Sequence, residues 1–224
     1  MDDPHGLPGR AAELRTVTDV AAAALAVFLE VRPRTILLSG GSTPQRLYES
    51  LARLEDYPWK GVEAFFGDER CVPPHDERSN ARMAGEALLD ALPVRTYPID
   101  GAGCDAAGYE RILRERFGPA LAFDLALYGL GPDGHTGSLF PGRPEVGVRN
   151  RWVVRVPEAG LEPFVPRVSL TLPALSSAGV GLLLVAGAEK REALRRLLDG
   201  DAIPASGLRP RRLMILADQA AAEG

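Results

Sequence analysis

The chain has 224 residues, of which 46% are hydrophobic and 25% charged, and its formal net charge is −4 at pH 7. These values are typical of a soluble globular protein with one large domain, and the lack of a long basic run argues against a nucleic-acid partner. The acidic N-terminus is unlike a signal peptide, and the longest apolar runs are too short for a bilayer. We therefore predict a cytoplasmic protein without a membrane partner.

The predicted elements alternate between strand and helix along most of the chain. Residues 1–10 are rich in Pro, Gly and Asp, which predicts a disordered tail, and residues 11–224 are assigned to a single α/β domain. The predicted helices are residues 11–30, 45–54, 79–92, 105–117 and 189–198. The predicted strands are residues 35–38, 62–66, 123–128, 153–156, 168–172, 180–186 and 213–217. Continuous apolar strands between helices indicate a mostly parallel, twisted sheet with helices on both faces.

The loop after the first predicted strand is a candidate anion site. It reads Ser39-Gly-Gly-Ser-Thr-Pro44, so small residues and two hydroxyls precede a predicted helix. Free backbone N–H groups and the helix dipole at such a position suit a phosphate group. The alternative is an ordinary glycine turn with a Ser or Thr cap. The loop is not a Walker A motif, because no Gly-Lys-Ser/Thr follows at the required spacing.

Charged residues follow or begin three other predicted strands or helices. Asp68, Glu69 and Arg70 come directly after the strand at residues 62–66, Arg167 opens a short strand, and Lys190 begins a helix. Ligands of parallel sheets bind at the carboxyl ends of the strands, so these side chains are expected to converge. Together the cations would bind a phosphate dianion, whereas each alone is an ordinary surface charge.

The segment 123–142 carries the strongest signal for chemistry. An apolar run is followed by a loop with four glycines, and this loop contains Asp133 and His135. A histidine on a tight loop at the end of a strand is a candidate general base near neutral pH. The alternative is a loop histidine that makes only a structural hydrogen bond.

Neither a nucleotide cofactor nor a metal is predicted. Gly129-Leu-Gly-Pro-Asp-Gly134 fits the dinucleotide-binding fingerprint, but no acid follows about 20 residues later and Asp133 would repel a pyrophosphate. Three scattered histidines and two cysteines do not form a metal-ligand pattern. We expect Cys71 and Cys104 to be incidental thiols in a reducing compartment. The residues alone thus indicate a metal-free enzyme that acts on a small phosphorylated metabolite.

Five motifs that occur in order add a resemblance to this interpretation. They are Leu38-Ser-Gly-Gly-Ser-Thr-Pro44, Gly67-Asp-Glu-Arg-Cys-Val-Pro73 with Ser79-Asn80, the segment 129–142, Arg167-Val-Ser-Leu-Thr171 and Gly187-Ala-Glu-Lys190. In combination they strongly resemble the 6-phosphogluconolactonase family of the oxidative pentose phosphate pathway. The resemblance covers almost the whole chain after residue 10 and implies a Rossmann-like α/β fold shared with glucosamine-6-phosphate deaminases.

The resemblance implies hydrolysis of 6-phospho-D-glucono-1,5-lactone to 6-phospho-D-gluconate without a cofactor. His135 would activate water, either Asp133 or Asp68 would orient the imidazole, and Arg70 with loop N–H groups would stabilise the oxyanion. The residues that would bind the phosphate are Gly40, Gly41, Ser42, Thr43, Arg167 and Lys190. We expect a monomer, with a weak dimer as the alternative.

Two other functions compete with this interpretation. An amino-sugar phosphate deaminase of the same superfamily would use a further acid shortly after the histidine, and residues 136–142 contain none. A sugar-phosphate sensor would carry a DNA-binding module at its N-terminus, and the roughly 30 residues before the first predicted strand are too few for one. The Asp133 and His135 pair also favours catalysis over binding alone.

Overall fold

A computed structural model describes residues 12–223, and the predicted disordered tail lies outside the described residues. The strands are β1 (Ala12–Val17), β2 (Thr35–Leu38), β3 (Glu63–Phe66), β4 (Asp68–Arg70), β5 (Arg95–Tyr97), β6 (Phe123–Gly129), β7 (Val153–Val156), β8 (Arg167–Leu170), β9 (Ala178–Val185) and β10 (Arg212–Asp218). The helices are α1 (Val20–Val31), α2 (Ser42–Leu51), α3 (Asn80–Ala87), α4 (Ala106–Phe117), α5 (Leu172–Leu175), α6 (Arg191–Leu198) and α7 (Gln219–Ala222). Within this part of the chain no helix is long and apolar enough to cross a membrane.

Seven of the described strands form one parallel sheet in the order β1-β10-β9-β6-β2-β3-β5. From β2 the chain adds β3 and β5 on one side, whereas from β6 it adds β9 and β10 on the other. The loops after β2 and β6 therefore diverge, which leaves a crevice at the carboxyl ends of these two neighbouring strands. The mostly parallel α/β architecture predicted from the sequence is confirmed.

The core lies along the strands of this sheet, where side chains point to both faces. Leu37, Ala126 and Leu183 have no exposed surface, and they come from three neighbouring strands. Near the β5 edge Phe65 of β3 stacks on Tyr97 of β5 with ring centroids 4.5 Å apart. Burial of each large apolar side chain contributes about 1.5–3 kcal/mol, so these strands form a firm base for the loops at their ends.

The predicted helix over residues 11–30 is wrong in its first part. Residues 12–17 instead form β1, which pairs in parallel with β10 over six residues at the sheet edge. The helix begins only at Val20, because the Asp19 carboxylate accepts hydrogen bonds from the N–H groups of Ala21 and Ala22. Pairing with an existing strand outweighs a helix propensity of a few tenths of a kcal/mol per residue.

A second, three-stranded sheet was not predicted as a unit. Its order is β4-β8-β7, and both pairs are antiparallel. Residues 68–70, expected to be a loop, form β4, because their backbone pairs with β8 about a hundred residues later in the chain. Nothing local in the sequence signals such a distant pairing. This small sheet extends from the end of β3 across the crevice.

The expectation that Cys71 and Cys104 are incidental thiols is wrong, because the two residues form a disulfide. Their Cα atoms are 5.0 Å apart, although 33 residues separate them in the chain. The loop before α4 packs closely on the end of β4: a Cβ on Gly101 would lie 2.6 Å from the Arg70 carbonyl oxygen. The spacing of the cysteines gave no sign of this contact, which depends on how the two segments pack.

Candidate active site

A pocket of about 290 Å³ lies over the crevice between β2 and β6. Its lining combines the loops after β2, β6 and β9 with strands β4 and β8 of the small sheet. The sequence-predicted residues among its lining are Gly40, Gly41, Ser42, Thr43, Asp68, Arg70, His135, Arg167 and Lys190. The structure thus brings together, in one cavity, side chains from segments that are up to 150 residues apart.

The His135 ring is held by its own loop. The Asp133 Oδ1 atom lies 2.6 Å from His135 Nδ1 and also accepts a hydrogen bond from the His135 backbone N–H at 3.1 Å. A carboxylate can only accept, so in the neutral ring the proton lies on Nδ1 and Nε2 carries the free lone pair. His135 is therefore arranged to take up a proton at Nε2.

Two features of the loop hold the ring in this position. A Cβ on Gly131 would lie 2.0 Å from His135 Nδ1, so the ring can rest against the backbone only because residue 131 is glycine. On another side the ring contacts Phe140, with 4.7 Å between ring centroids. The third glycine of the segment 129–134 opens no helix, since the described chain continues as a loop to residue 143. The loop therefore lacks the geometry of a dinucleotide-binding turn.

Asp133 is ionised under ordinary conditions. Its partial burial would raise its pKa, but the hydrogen bond and positive charge of the His135 ring and two backbone donors hold the pKa below the usual value. An ionised partner stabilises the imidazolium that forms when His135 accepts a proton. The pair therefore has the arrangement expected of a general base with its orienting acid.

Asp68 has a different partner. Its Oδ2 atom accepts a hydrogen bond of 2.6 Å from Ser138 Oγ, and its backbone carbonyl accepts one from Asn80 Nδ2. Asp68 is 6% exposed and lines the pocket without bonding to the imidazole. Of the two carboxylates that the sequence left open as partners of His135, Asp133 is the one in contact with the ring.

Arg70 and Arg167 lie directly opposite each other on β4 and β8. The Arg167 guanidinium donates to the carbonyls of Val165 and Pro163, and Arg70 Nη1 donates to the carbonyl of Arg78. Arg70 Nε is buried without a hydrogen-bond partner. Neither guanidinium forms an ion pair with a carboxylate of residues 12–223.

This arrangement favours an anion. Burial, together with the nearby charge of Arg70, lowers the pKa of Arg167 to about 10. The charges of Asp68 and Glu69 act on Arg167 in the opposite sense, but neither carboxylate forms an ion pair with it. Two neighbouring cations that have lost part of their hydration and form no ion pair are stabilised when a dianion binds to them. The two guanidiniums are therefore the strongest anion-binding feature of the pocket.

The loop after β2 and Lys190 also line the pocket. Helix α2 begins at Ser42, its N-cap is Gly41, and no side chain caps its first turn. Gly41, Ser42 and Thr43 line the pocket, so the uncapped start of this helix is available to an anion there. Lys190 ends a short 3₁₀ turn after β9 and lines the same cavity.

Glu69, beside the pocket, and several residues of its lining were not assigned a role from the sequence. Glu69 is not part of the lining, and its carboxylate accepts hydrogen bonds from Ser79 Oγ and the N–H groups of Asn80 and Ala81, so it fixes the start of α3 beside the cavity. Burial raises the pKa of Glu69 despite these donors. The lining residues that were missed are Asn80, Phe140, Leu161, Glu162 and Glu189. Asn80, Phe140 and Glu189 lie in motifs noted in the sequence, whereas Leu161 and Glu162 lie in none of them.

No group of three or more His, Cys, Asp or Glu side chains within residues 12–223 is placed to hold a metal ion. The polar chemistry of the pocket comes from one histidine with its carboxylate, the cations and the backbone amides. Such a set can move a proton next to a bound anion.

Comparison with known proteins places the chain in a family. Residues 10–217 match the family described as glucosamine-6-phosphate isomerases/6-phosphogluconolactonase. A 6-phosphogluconolactonase from Synechocystis sp. is 40% identical over 205 residues, which are 84% of this chain and 83% of that protein. The crystal structure of a 6-phosphogluconolactonase from Thermotoga maritima superposes with a TM-score of 0.84 at 28% identity, over 93% of this chain and all of that one. A 6-phosphogluconolactonase from Trypanosoma cruzi has a TM-score of 0.85 at 28% identity, over 95% and 96% of the two chains.

Proposed function

Because the chain belongs to the glucosamine-6-phosphate isomerase/6-phosphogluconolactonase family, we propose that it hydrolyses 6-phospho-D-glucono-1,5-lactone to 6-phospho-D-gluconate. The observation that carries this proposal is that His135, whose Nδ1 lies 2.6 Å from Asp133 Oδ1, lines the same pocket as Arg70 and Arg167, which form no ion pair. A base and an anion site in one cavity fit a substrate with an electrophilic carbonyl and a phosphate.

In the proposed reaction His135 is the general base. Its Nε2 removes a proton from water while the water oxygen attacks the C1 carbonyl of the lactone, and the carbonyl oxygen becomes an oxyanion. The tetrahedral intermediate then collapses: the bond from C1 to the ring oxygen breaks, and the imidazolium returns the proton to that oxygen. Asp133 stays ionised throughout and stabilises the imidazolium.

The anion-binding roles extend this proposal. Arg167 and Lys190, with the backbone of Gly40 and Gly41 and the hydroxyls of Ser42 and Thr43, bind the phosphate and anchor the substrate. Arg70 lies beside Arg167 and, with loop N–H groups, stabilises the developing oxyanion. Asp68 does not contact the imidazole and acts through the hydrogen bond from Ser138, which belongs to the His135 loop. General-base help of about 10²–10⁴-fold, together with positioning, is sufficient for a lactone that also opens spontaneously.

The residues around His135 give less support to the alternative function, an amino-sugar phosphate deaminase. The loop that follows His135, residues 136–142, contains no acid. Glu162 reaches the pocket from another segment, but it lies in the loop before β8 and makes no hydrogen bond to the His135 loop within the described residues. The same proposal includes that the chain acts as a single catalytic domain and as a monomer. It also includes that the chain needs no cofactor and acts in the cytoplasm.

The test is lactone opening with substrate made in situ from glucose 6-phosphate by its dehydrogenase. Excess 6-phosphogluconate dehydrogenase converts each opened lactone into a second NADPH, which is followed by absorbance. We expect acceleration above the spontaneous rate with the phosphorylated lactone. With unphosphorylated glucono-1,5-lactone, which lacks the anchor and is followed by acid release in a pH-stat, we expect little acceleration. If the rate stays at the spontaneous level while ammonia is released from glucosamine 6-phosphate, the chain is a deaminase and the proposal fails.

A further inference from the structure

Asn80 is a buried polar residue of the pocket that the mechanism above does not use. It is the first residue of α3, is 3% exposed and lines the cavity. Its backbone N–H donates to Glu69 Oε1 at 2.8 Å, and Ser79 caps the helix that it begins. The main chain at this position is therefore fixed without help from the Asn80 side chain.

The orientation of the Asn80 amide is determined by its neighbours. Its Nδ2 atom donates a hydrogen bond of 3.0 Å to the backbone carbonyl of Asp68. A carbonyl only accepts, so the NH₂ group must face Asp68 and the Oδ1 atom must face the other way. There it lies against Gly40, where a Cβ would come within 2.0 Å of Oδ1.

The Oδ1 atom is an acceptor without a partner. Within residues 12–223 no group donates a hydrogen bond to it, and it is not among the fully enclosed unpaired atoms. Because Asn80 lines the pocket and its side chain is fixed, this oxygen is available to accept a hydrogen bond from a ligand there. The nearby Asp68 carboxylate is also an acceptor, so this side of the cavity needs donors.

The substrate offers such donors only on its ring. A phosphate dianion has no proton to give and is repelled by a carbonyl-type oxygen, whereas each ring hydroxyl can donate one hydrogen bond. We propose that Asn80 is a specificity-determining residue, whose Oδ1 accepts a hydrogen bond from one ring hydroxyl of the sugar lactone. This inference rests on the proposed function and adds a contact that recognises the sugar ring, in addition to the contacts that bind its phosphate.

The experiment compares deoxy substrates. The values of kcat/KM are measured for the parent lactone and for the lactones of 2-, 3- and 4-deoxyglucose 6-phosphate, with acid release followed in a pH-stat and corrected for spontaneous opening. The wild type is expected to prefer the parent over one deoxy lactone by about 10-fold. In Asn80→Ala, kcat/KM for the parent lactone is expected to fall about 10-fold. For that one deoxy lactone, kcat/KM of the variant should stay within about twofold of the wild-type value.

A second variant displaces the Asn80 amide without changing Asn80 itself. Gly40→Ala places a Cβ where Oδ1 now lies, so it should reduce the same preference even if Asn80→Ala folds poorly. Ser79→Ala is the matched control, because it removes the cap of α3 and should lower thermal stability while the substrate ratios stay as in the wild type.

The outcomes separate the inference from the proposed function. If the wild type does not open the parent lactone, the proposed function itself fails. A different outcome is that the wild type opens the parent lactone while Asn80→Ala lowers kcat/KM equally for all four lactones, or for none of them. In that case Asn80 does not bind a ring hydroxyl, and only this inference is overturned.

Discussion

The two sheets of the molecule contribute to the pocket in different ways. The parallel sheet contributes loops: His135, its partner Asp133 and the amides before α2 all follow the carboxyl ends of strands. The small antiparallel sheet contributes side chains from within its strands, namely Asp68, Arg70 and Arg167. The first arrangement places a base on a tight turn, and the second places charges on a rigid, buried surface. The proposed base therefore comes from the parallel sheet alone, whereas the proposed anion-binding groups come from both sheets.

The largest effect on activity is expected from a substitution in a loop of the parallel sheet. His135→Ala should lower kcat by about 10²–10⁴-fold and change KM little, because it removes the base and leaves the anion site intact. Steady-state kinetics of lactone opening measure both constants. Asp133→Asn is the companion variant, since it keeps the shape but removes the charge that stabilises the imidazolium, and it should also act on kcat. A His135→Ala enzyme with unchanged kcat would remove the histidine from the mechanism.

The next effect concerns the support of the small sheet. Cys104→Ser breaks the disulfide that closes a loop of 33 residues at the end of β4, and it should lower the free energy of unfolding by about 3 kcal/mol. Urea unfolding without reductant measures this value. Reductant added to the wild type should reproduce the loss and should not affect the variant. Equal midpoints for both proteins without reductant would mean that the two thiols are not bonded in solution.

The two cations proposed to bind the phosphate, Arg167 from the small sheet and Lys190 from the segment after β9, allow a direct comparison. Arg167→Ala should raise KM by about 10-fold or more, since Arg167 is 4% exposed and its charge is poorly screened. Lys190→Ala should raise KM less, because Lys190 is only partly buried and its charge is more screened by water. Both should leave kcat nearly unchanged. A larger effect of Lys190 would place the phosphate at the end of the parallel sheet instead of at the small sheet.

The smallest effect is a pH dependence. Burial and Arg70 lower the pKa of Arg167 to about 10, so its positive charge is complete below that pH and is lost as the pH rises through it. The affinity for 6-phosphogluconate, measured by calorimetry between pH 8 and 11, should therefore fall near pH 10 in the wild type. Lys190→Ala, which removes the lysine charge of the same site, should keep this step, whereas the double variant Arg167→Ala/Lys190→Ala should lack it. A wild-type affinity that is constant up to pH 11 would contradict the lowered pKa.

The same two sheets show what the sequence could predict. The His135 loop was found because strand, glycine turn and histidine are consecutive, and the mostly parallel sheet was found because its apolar strands are local signals. The pairing of Arg70 with Arg167 was not predicted, since it depends on two short strands far apart in the chain. For the same reason the disulfide and the contact of Asn80 with Gly40 were missed. The assigned roles of the site residues stay predictions until they are measured.

The adjoining guanidiniums of Arg70 and Arg167 have a consequence for the amount of folded protein. Without an anion, two like charges share a partly dehydrated site, which raises the free energy of the empty native state. A ligand that binds only the folded chain adds stability by mass action, about 2.7 kcal/mol at a hundredfold excess over its dissociation constant. The resistance of this protein to heat and to proteases should therefore follow the supply of sugar phosphate around it.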